Sequence, residues 1–162
     1  MAQNIYDDEV FFSGYSTLPR SLRGLDAAPE WPTLRRMVAS VHAKRVDDLG
    51  CGFGWFCRWA LQHGATAALG INLSQRMLRR AQAESTSPDI RYEPVHHGLK
   101  SGGTFVFSVE HPIFTAPTNP GFRNTDDGRA TWPVDRYLDE GERVTNWFAP
   151  RVVKQHRTIG HT

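Results

Sequence analysis

Between Val46 and Gly54 the chain reads Val46-Asp47-Asp48-Leu49-Gly50-Cys51-Gly52-Phe53-Gly54. A short run from Lys44 to Leu49 ends on three alternating glycines. Trp55 to about His63 then places Phe56, Trp59 and Ala60 on one side and Arg58 and Gln62 on the other. The pattern predicts a strand, a glycine turn and an amphipathic helix. Glycine accepts backbone angles that other residues resist and lets a ligand approach the main chain. The following helix aims its first N–H groups and its positive dipole end at the same space. Such a unit, at the carboxyl end of a parallel strand, forms a nucleotide-cofactor cradle. It commits the chain to an α/β fold with parallel strands.

The flanking segments extend that pattern. Gly64 terminates the helix, and Ala67 to Leu73 reads as a second strand. Ser74 is placed to cap a helix that buries Met77, Leu78 and Ala81 and solvates Arg76, Arg79 and Arg80. Pro88 breaks it. Ile90 to Val95 is a third strand and Thr104 to Val109 a fourth. Residues 1–44 read as mostly helical, with Tyr6, Phe11, Phe12 and Tyr15 as aromatic anchors and Pro32 in the first turn of a helix through Leu34, Met37 and Val38. Residues 111–133 are rich in proline and glycine and have no helical period, so that loop is either functional or mobile. The tail from Asp135 predicts one helix and no obvious strand. The expected organisation is a single domain over 1–162. It has a helical lid at 1–44, a cofactor-binding core at 45–110 and a substrate loop and tail at 111–162.

Charge and composition exclude several classes of partner. The 19 Lys and Arg against 17 Asp and Glu leave a net charge of +2, which gives no case for nucleic-acid binding. No apolar run reaches membrane-spanning length, and Met1-Ala2-Gln3-Asn4 does not open a secretory signal. The two cysteines, Cys51 and Cys57, make no disulfide framework. His96-His97 has no Cys, Asp or Glu at ligand spacing, so no metal site is expected. Arg151, Lys154, His156 and Arg157 read as a small solvated basic face. A cytoplasmic enzyme or binding domain remains.

The glycine spacing narrows the cofactor. It is G-x-G-x-G rather than the dinucleotide form G-x-G-x-x-G, and no Gly-Lys-Ser/Thr follows, so an ATP phosphate loop is excluded. Val46-Asp47-Asp48-Leu49-Gly50-Cys51-Gly52-Phe53-Gly54 resembles the first motif of class I S-adenosylmethionine-dependent methyltransferases. The resemblance runs from about Tyr6 to His156 and takes in Gly70-Ile71-Asn72-Leu73-Ser74 and Leu99-Lys100-Ser101-Gly102-Gly103. It implies a Rossmann-like sheet flanked by helices, S-adenosylmethionine as cofactor and a small-molecule methyl acceptor. By the same resemblance Gly50, Gly52 and Gly54, with Cys51, line the cofactor. Asp48 positions that loop or binds the methionyl ammonium. Asn72 and Leu73 stand on the ribose side, and Tyr15 belongs to an aromatic lid. Phe11 and Phe12 read as ordinary core. Cys51 sits near a helix N-terminus, where a thiol pKa is lowered, although its family position suggests packing instead.

Three departures from the family pattern carry expectations. Asn72 stands where the family has Asp or Glu. An amide forgoes charge-assisted hydrogen bonds, which are about twice as strong as neutral ones, so weaker cofactor binding is expected. Asp47 stands at an apolar position. If the strand is covered on both faces it is a buried carboxylate; the alternatives are an open face or pairing with Lys44 or Arg45. Third, only eight residues, 96 to 103, separate the third and fourth strand candidates. A parallel crossover takes a dozen or more. The fold is therefore expected to be truncated, lacking the region around the family's fourth strand and its C-terminal strands. An exposed sheet edge at 104–109 then favours a homo-oligomer.

For catalysis, Glu110 and His111 follow the last strand candidate. His111 is placed to accept a substrate proton and Glu110 to orient it; the alternative is that both cap the strand and anchor the loop. Phe114, Phe122 and Trp132 either close over an apolar substrate or lie on the surface. Two rival functions stay open beside methyl transfer. One is a degenerate, non-catalytic methyltransferase-like binding module. The other is an NAD-dependent oxidoreductase, disfavoured by the glycine spacing.

Overall fold

The computed structural model describes residues 4–94, 103–108 and 110–161. The chain divides into two compact units, 1–107 and 108–162.

The first unit begins with a 3-10 turn at Ile5–Asp7 and three helices, α1 (Glu9–Ser16), α2 (Pro19–Arg23) and α3 (Trp31–Val38). Asp8 starts α1 by accepting from the Phe11 N–H at 2.8 Å, and Pro32 lies in the first turn of α3 as the sequence predicts. Two strand–helix–strand units follow: β1 (Arg45–Leu49), α4 (Trp55–Gln62), β2 (Ala67–Ile71), α5 (Gln75–Ala83) and β3 (Ile90–Glu93). The strands are parallel in the order β1-β2-β3, in register from Arg45↔Ala67 to Leu49↔Ile71 and from Ala68↔Ile90 to Ile71↔Glu93.

The core lies between this sheet and the helices. Cys51, Cys57, Ala68, Leu78 and Ile90 form one buried cluster, with Leu61 and Tyr92 packed against it. Ser74 caps α5 by accepting from the Met77 N–H at 3.1 Å, and Met77, Leu78 and Ala81 are the buried positions of that helix. On α4 the Trp59 ring packs against Trp31 at 4.9 Å and against Phe56 at 5.4 Å, which seats α3.

Two sequence expectations change at the sheet. Asp47 is exposed, not buried: Arg45, Asp47 and Leu49 share one face of β1 and all three are exposed, so the open-face alternative holds. Its carboxylate therefore stays hydrated. Residues 104–108 form no strand. Phe105 and Phe107 are 58% and 59% exposed, with their rings stacked 5.4 Å apart. An apolar alternation becomes a strand only where a neighbour takes its backbone hydrogen bonds. Val109, His96, His97 and the Leu99–Gly102 part of the glycine-rich motif lie outside the described residues.

The second unit holds two small antiparallel hairpins: β4 (Arg123–Asn124) with β5 (Ala130–Thr131), and β6 (Gly141–Trp147) with β7 (Ala149–His156). The tail therefore pairs as strands and carries no α-helix among its described residues, contrary to expectation. Its residues alternate around a tight turn at Phe148, whose φ is 57°, and each strand supplies the other's partners. The loop of residues 111–133 closes on Trp132. The indole donates to the Ile113 carbonyl at 2.9 Å, and the ring meets Phe114 and Phe122 at 5.3 and 5.2 Å. His156 is fully buried rather than part of a solvated basic face. Its Nε2–H donates to the Tyr137 carbonyl at 2.9 Å, and its Nδ1 lies 2.7 Å from the Thr115 hydroxyl.

Candidate functional site

A cavity of about 490 Å³ opens at the carboxyl ends of β1 and β2. The strand ends contribute Leu49 and Ile71, and the glycine turn contributes Gly50 and Gly52. The β2–α5 connection adds Asn72, Leu73 and Met77, and the N-terminal segment adds Asn4, Tyr6 and Tyr15.

The turn is built by division of labour. The N–H groups of Gly50 and Cys51 both donate to the Ile71 carbonyl, at 2.8 and 3.0 Å, which stitches the end of β1 to β2. The Gly54 N–H closes the turn on the Cys51 carbonyl at 2.8 Å. Gly50, Gly52 and Gly54 have φ of 83°, 53° and 75°, all in the left-handed region. A Cβ on Gly50 or Gly52 would meet nothing within 4 Å, so the turn presents bare backbone to open space. Phe53 points the other way and is buried. It lies against Phe12 and Tyr15 at 5.7 and 6.0 Å, with the Arg80 guanidinium 4.0 Å from its ring centre. That ring fastens the aromatic segment of α1 to the turn.

Each predicted cofactor residue has a definite place. Gly50, Gly52, Asn72, Leu73 and Tyr15 line the cavity. Gly54 instead faces Tyr92, and Cys51 is buried in the core cluster. Burial and the neighbouring Asp48 push the Cys51 thiol up to about 12, so the expectation of a lowered thiol pKa fails and the packing reading holds. Burial pushes the Asp48 carboxyl up to about 6, against the opposing pull of the Cys57 thiol, which donates to it at 3.7 Å. Asn72 accepts the Ser74 N–H on Oδ1 at 2.9 Å. Burial raises the Tyr15 phenol above its usual range.

Glu110 and His111 belong to the second unit. Both Glu110 oxygens take hydrogen bonds from Lys154 Nζ, at 3.0 and 2.9 Å. The His111 Nδ1 accepts from the Ile113 N–H at 3.2 Å and caps the 3-10 turn Pro112–Phe114. Asn4, Leu49, Ile71 and Met77 were not legible as cavity residues. Leu49, Ile71 and Met77 look like ordinary core in a sequence, and nothing local to Asn4 marks it.

A parallel sheet crossed by α4 and α5, with a glycine turn open to a cavity at its carboxyl edge, defines a Rossmann-type cofactor domain. The methyltransferase-domain family matches residues 48–101. An S-adenosylmethionine dependent methyltransferase from Mesorhizobium loti shares 45% identity and a TM-score of 0.78, over 85% of this chain and 78% of its own. A Listeria monocytogenes protein provisionally assigned to the same class shares 38% identity and a TM-score of 0.69, over 82% and 79%. An uncharacterized Haemophilus influenzae protein is 26% identical over 198 aligned positions, covering 96% of this chain and 78% of the relative. That aligned span exceeds the 162 residues of this chain, so the relative carries interior residues with no counterpart here. The chain belongs to the S-adenosylmethionine-dependent methyltransferase family.

Proposed function

We propose that this chain binds S-adenosylmethionine in the cavity and transfers its methyl group to a small-molecule acceptor in the cytoplasm. The observation that carries the reading is the open side of the glycine turn. Gly50 and Gly52 leave no side chain between the main chain and a cavity of about 490 Å³, and ligand sites commonly measure about 300–1,000 Å³. When bound, the cofactor supplies a methyl group already activated on a sulfonium. The protein's task is then proximity and orientation.

The residues present suit that ligand. Asn72 Oδ1 is engaged by Ser74, which leaves the Nδ2 amide to donate to a ribose hydroxyl. Leu73, 61% exposed, and the neighbouring Ile71 and Met77 offer apolar surface for an adenine ring. The Tyr6 and Tyr15 rings favour a cationic group by their π faces. Asp48 does not line the cavity; its buried carboxylate accepts from the Cys57 thiol at 3.7 Å, which favours the loop-positioning role over direct contact with the methionyl ammonium.

Calorimetry with S-adenosylhomocysteine, S-adenosylmethionine and NAD tests the reading. Binding of the first two without the third is expected. Binding of NAD alone overturns it. The sheet of three strands among the described residues, with β1 at its outer edge, favours a second reading, a binding module that holds the cofactor without catalysis. Turnover across a panel of acceptors separates the two.

A further inference from the structure

Asp7 and Ser74 are 67 residues apart in sequence and 2.6 Å apart in space, the Ser74 hydroxyl donating to Asp7 Oδ1. The same carboxylate accepts from the Arg76 N–H at 3.0 Å and from the Gln75 N–H at 3.4 Å. These are amides that the first turn of a helix leaves without an intrahelical acceptor, at the end where a negative charge is favoured. Asn4 Nδ2 donates to Asp7 Oδ2 at 2.6 Å and to the Leu73 carbonyl at 3.3 Å.

The contact is more than a cap. Ser74 already caps α5 through Met77. Its hydroxyl accepts from the Met77 N–H and donates a hydrogen bond to Asp7, while its N–H donates to Asn72 Oδ1. Asp7, the fully buried Ser74 and Asn72 thus form one connected chain of hydrogen bonds. Each end carries a wall of the cavity. Asn4 and Tyr6 flank Asp7, and Asn72, Leu73 and Met77 flank Ser74. Burial raises the Asp7 carboxyl, but the hydrogen bonds from Ser74, Arg76 and Gln75 outweigh it and hold the carboxyl below its usual range, so the latch is charged at neutral pH.

We infer that Asp7 is a positioning residue for cofactor binding. It latches the N-terminal wall to the start of α5 and, through Ser74, fixes the side chain of Asn72, without itself lining the cavity. The inference rests on the cavity being the cofactor site. By linkage, a ligand that needs both walls tightens the latch, and loss of the latch weakens the ligand.

The test compares the wild type with Asp7→Ala, Asp7→Asn, Ser74→Ala and the double variant Asp7→Ala/Ser74→Ala. It uses calorimetric titration of S-adenosylhomocysteine and amide hydrogen exchange. Loss of a charge-assisted latch is expected to weaken binding about tenfold in Asp7→Ala. Exchange should quicken over residues 4–16 and stay slow in β1–β3. The double variant should bind no more than about twofold worse than the weaker single one, because both changes break the same contact. Asp7→Asn, which keeps one acceptor, should fall between and covers the case where the alanine variant does not fold. Unchanged exchange over 4–16 overturns the latch, whatever the ligand does. Faster exchange with unchanged affinity, or losses that simply add, overturns the positioning role. A wild type that does not bind the ligand defeats the cofactor reading, and with it the positioning role, while the exchange data still decide the latch.

Discussion

Substituting alanine at Gly54 and at Gly50 separates two roles that one motif conceals. Both residues have left-handed φ, 75° and 83°, and alanine there costs about 1–2 kcal/mol. They differ in what the new methyl meets. At Gly54 it would fall on the Tyr92 hydroxyl and within 2.7 Å of the ring carbon that bears it. Tyr92 has little room to retreat. A Cβ on Gly70 would stand 2.5 Å from the same ring, so the tyrosine is held between two glycine backbones. Moving it sacrifices the 2.8 Å hydrogen bond to Ser85, about 1 kcal/mol, and overpacks the core by about 1–3 kcal/mol. Gly54→Ala should therefore cost about 4 kcal/mol. Gly50→Ala should cost only the backbone penalty, about 1–2 kcal/mol, and weaken S-adenosylhomocysteine binding by obstructing the open side of the turn. Urea unfolding at pH 7 reads both costs. Adding Tyr92→Leu to Gly54→Ala should restore part of the loss. Equal unfolding midpoints for the two alanine variants, at equal slopes, would refute the reasoning.

Three further outcomes follow from the site. Asp48 titrates near 6 when folded against an ordinary value of 3.8, so its contribution is favourable below pH 3.8 and is lost as pH rises through 6. Asp48→Asn should gain on the wild type across that window, reaching about 2–3 kcal/mol at pH 7 in pH-dependent urea unfolding, and a constant difference from pH 4 to 7 would disprove it. Burial and Asp48 raise both thiols, Cys51 to about 12; neither should react with a thiol reagent at pH 8 until the protein unfolds, which a stopped assay with and without urea measures. Asn72→Asp should tighten S-adenosylhomocysteine binding about tenfold by supplying charge-assisted hydrogen bonds, and calorimetry giving an unchanged constant removes that account of the substitution.

The amino-acid sequence alone determined the local grammar of the first unit. Alternation and glycine spacing specify β1, the turn and α4, while Ser74, Gly64 and Pro32 mark helix ends, because caps and turns depend on residues a few positions apart. Through the family resemblance it also named half of the ten residues that line the cavity: Tyr15, Gly50, Gly52, Asn72 and Leu73. Tertiary structure decided the matters that depend on distant neighbours. Asp47 is hydrated because the face of β1 that it shares with Arg45 and Leu49 is left open. Residues 104–108 join no sheet among the described residues, and the tail pairs into a hairpin because each strand supplies the other's partner. Asn4 and Asp7 are tied to the cavity region by hydrogen bonds to residues 73–76. Short-range preferences are carried by side chains and can be read in order along a chain; hydrogen-bond partners across tens of residues exist only once the chain has folded.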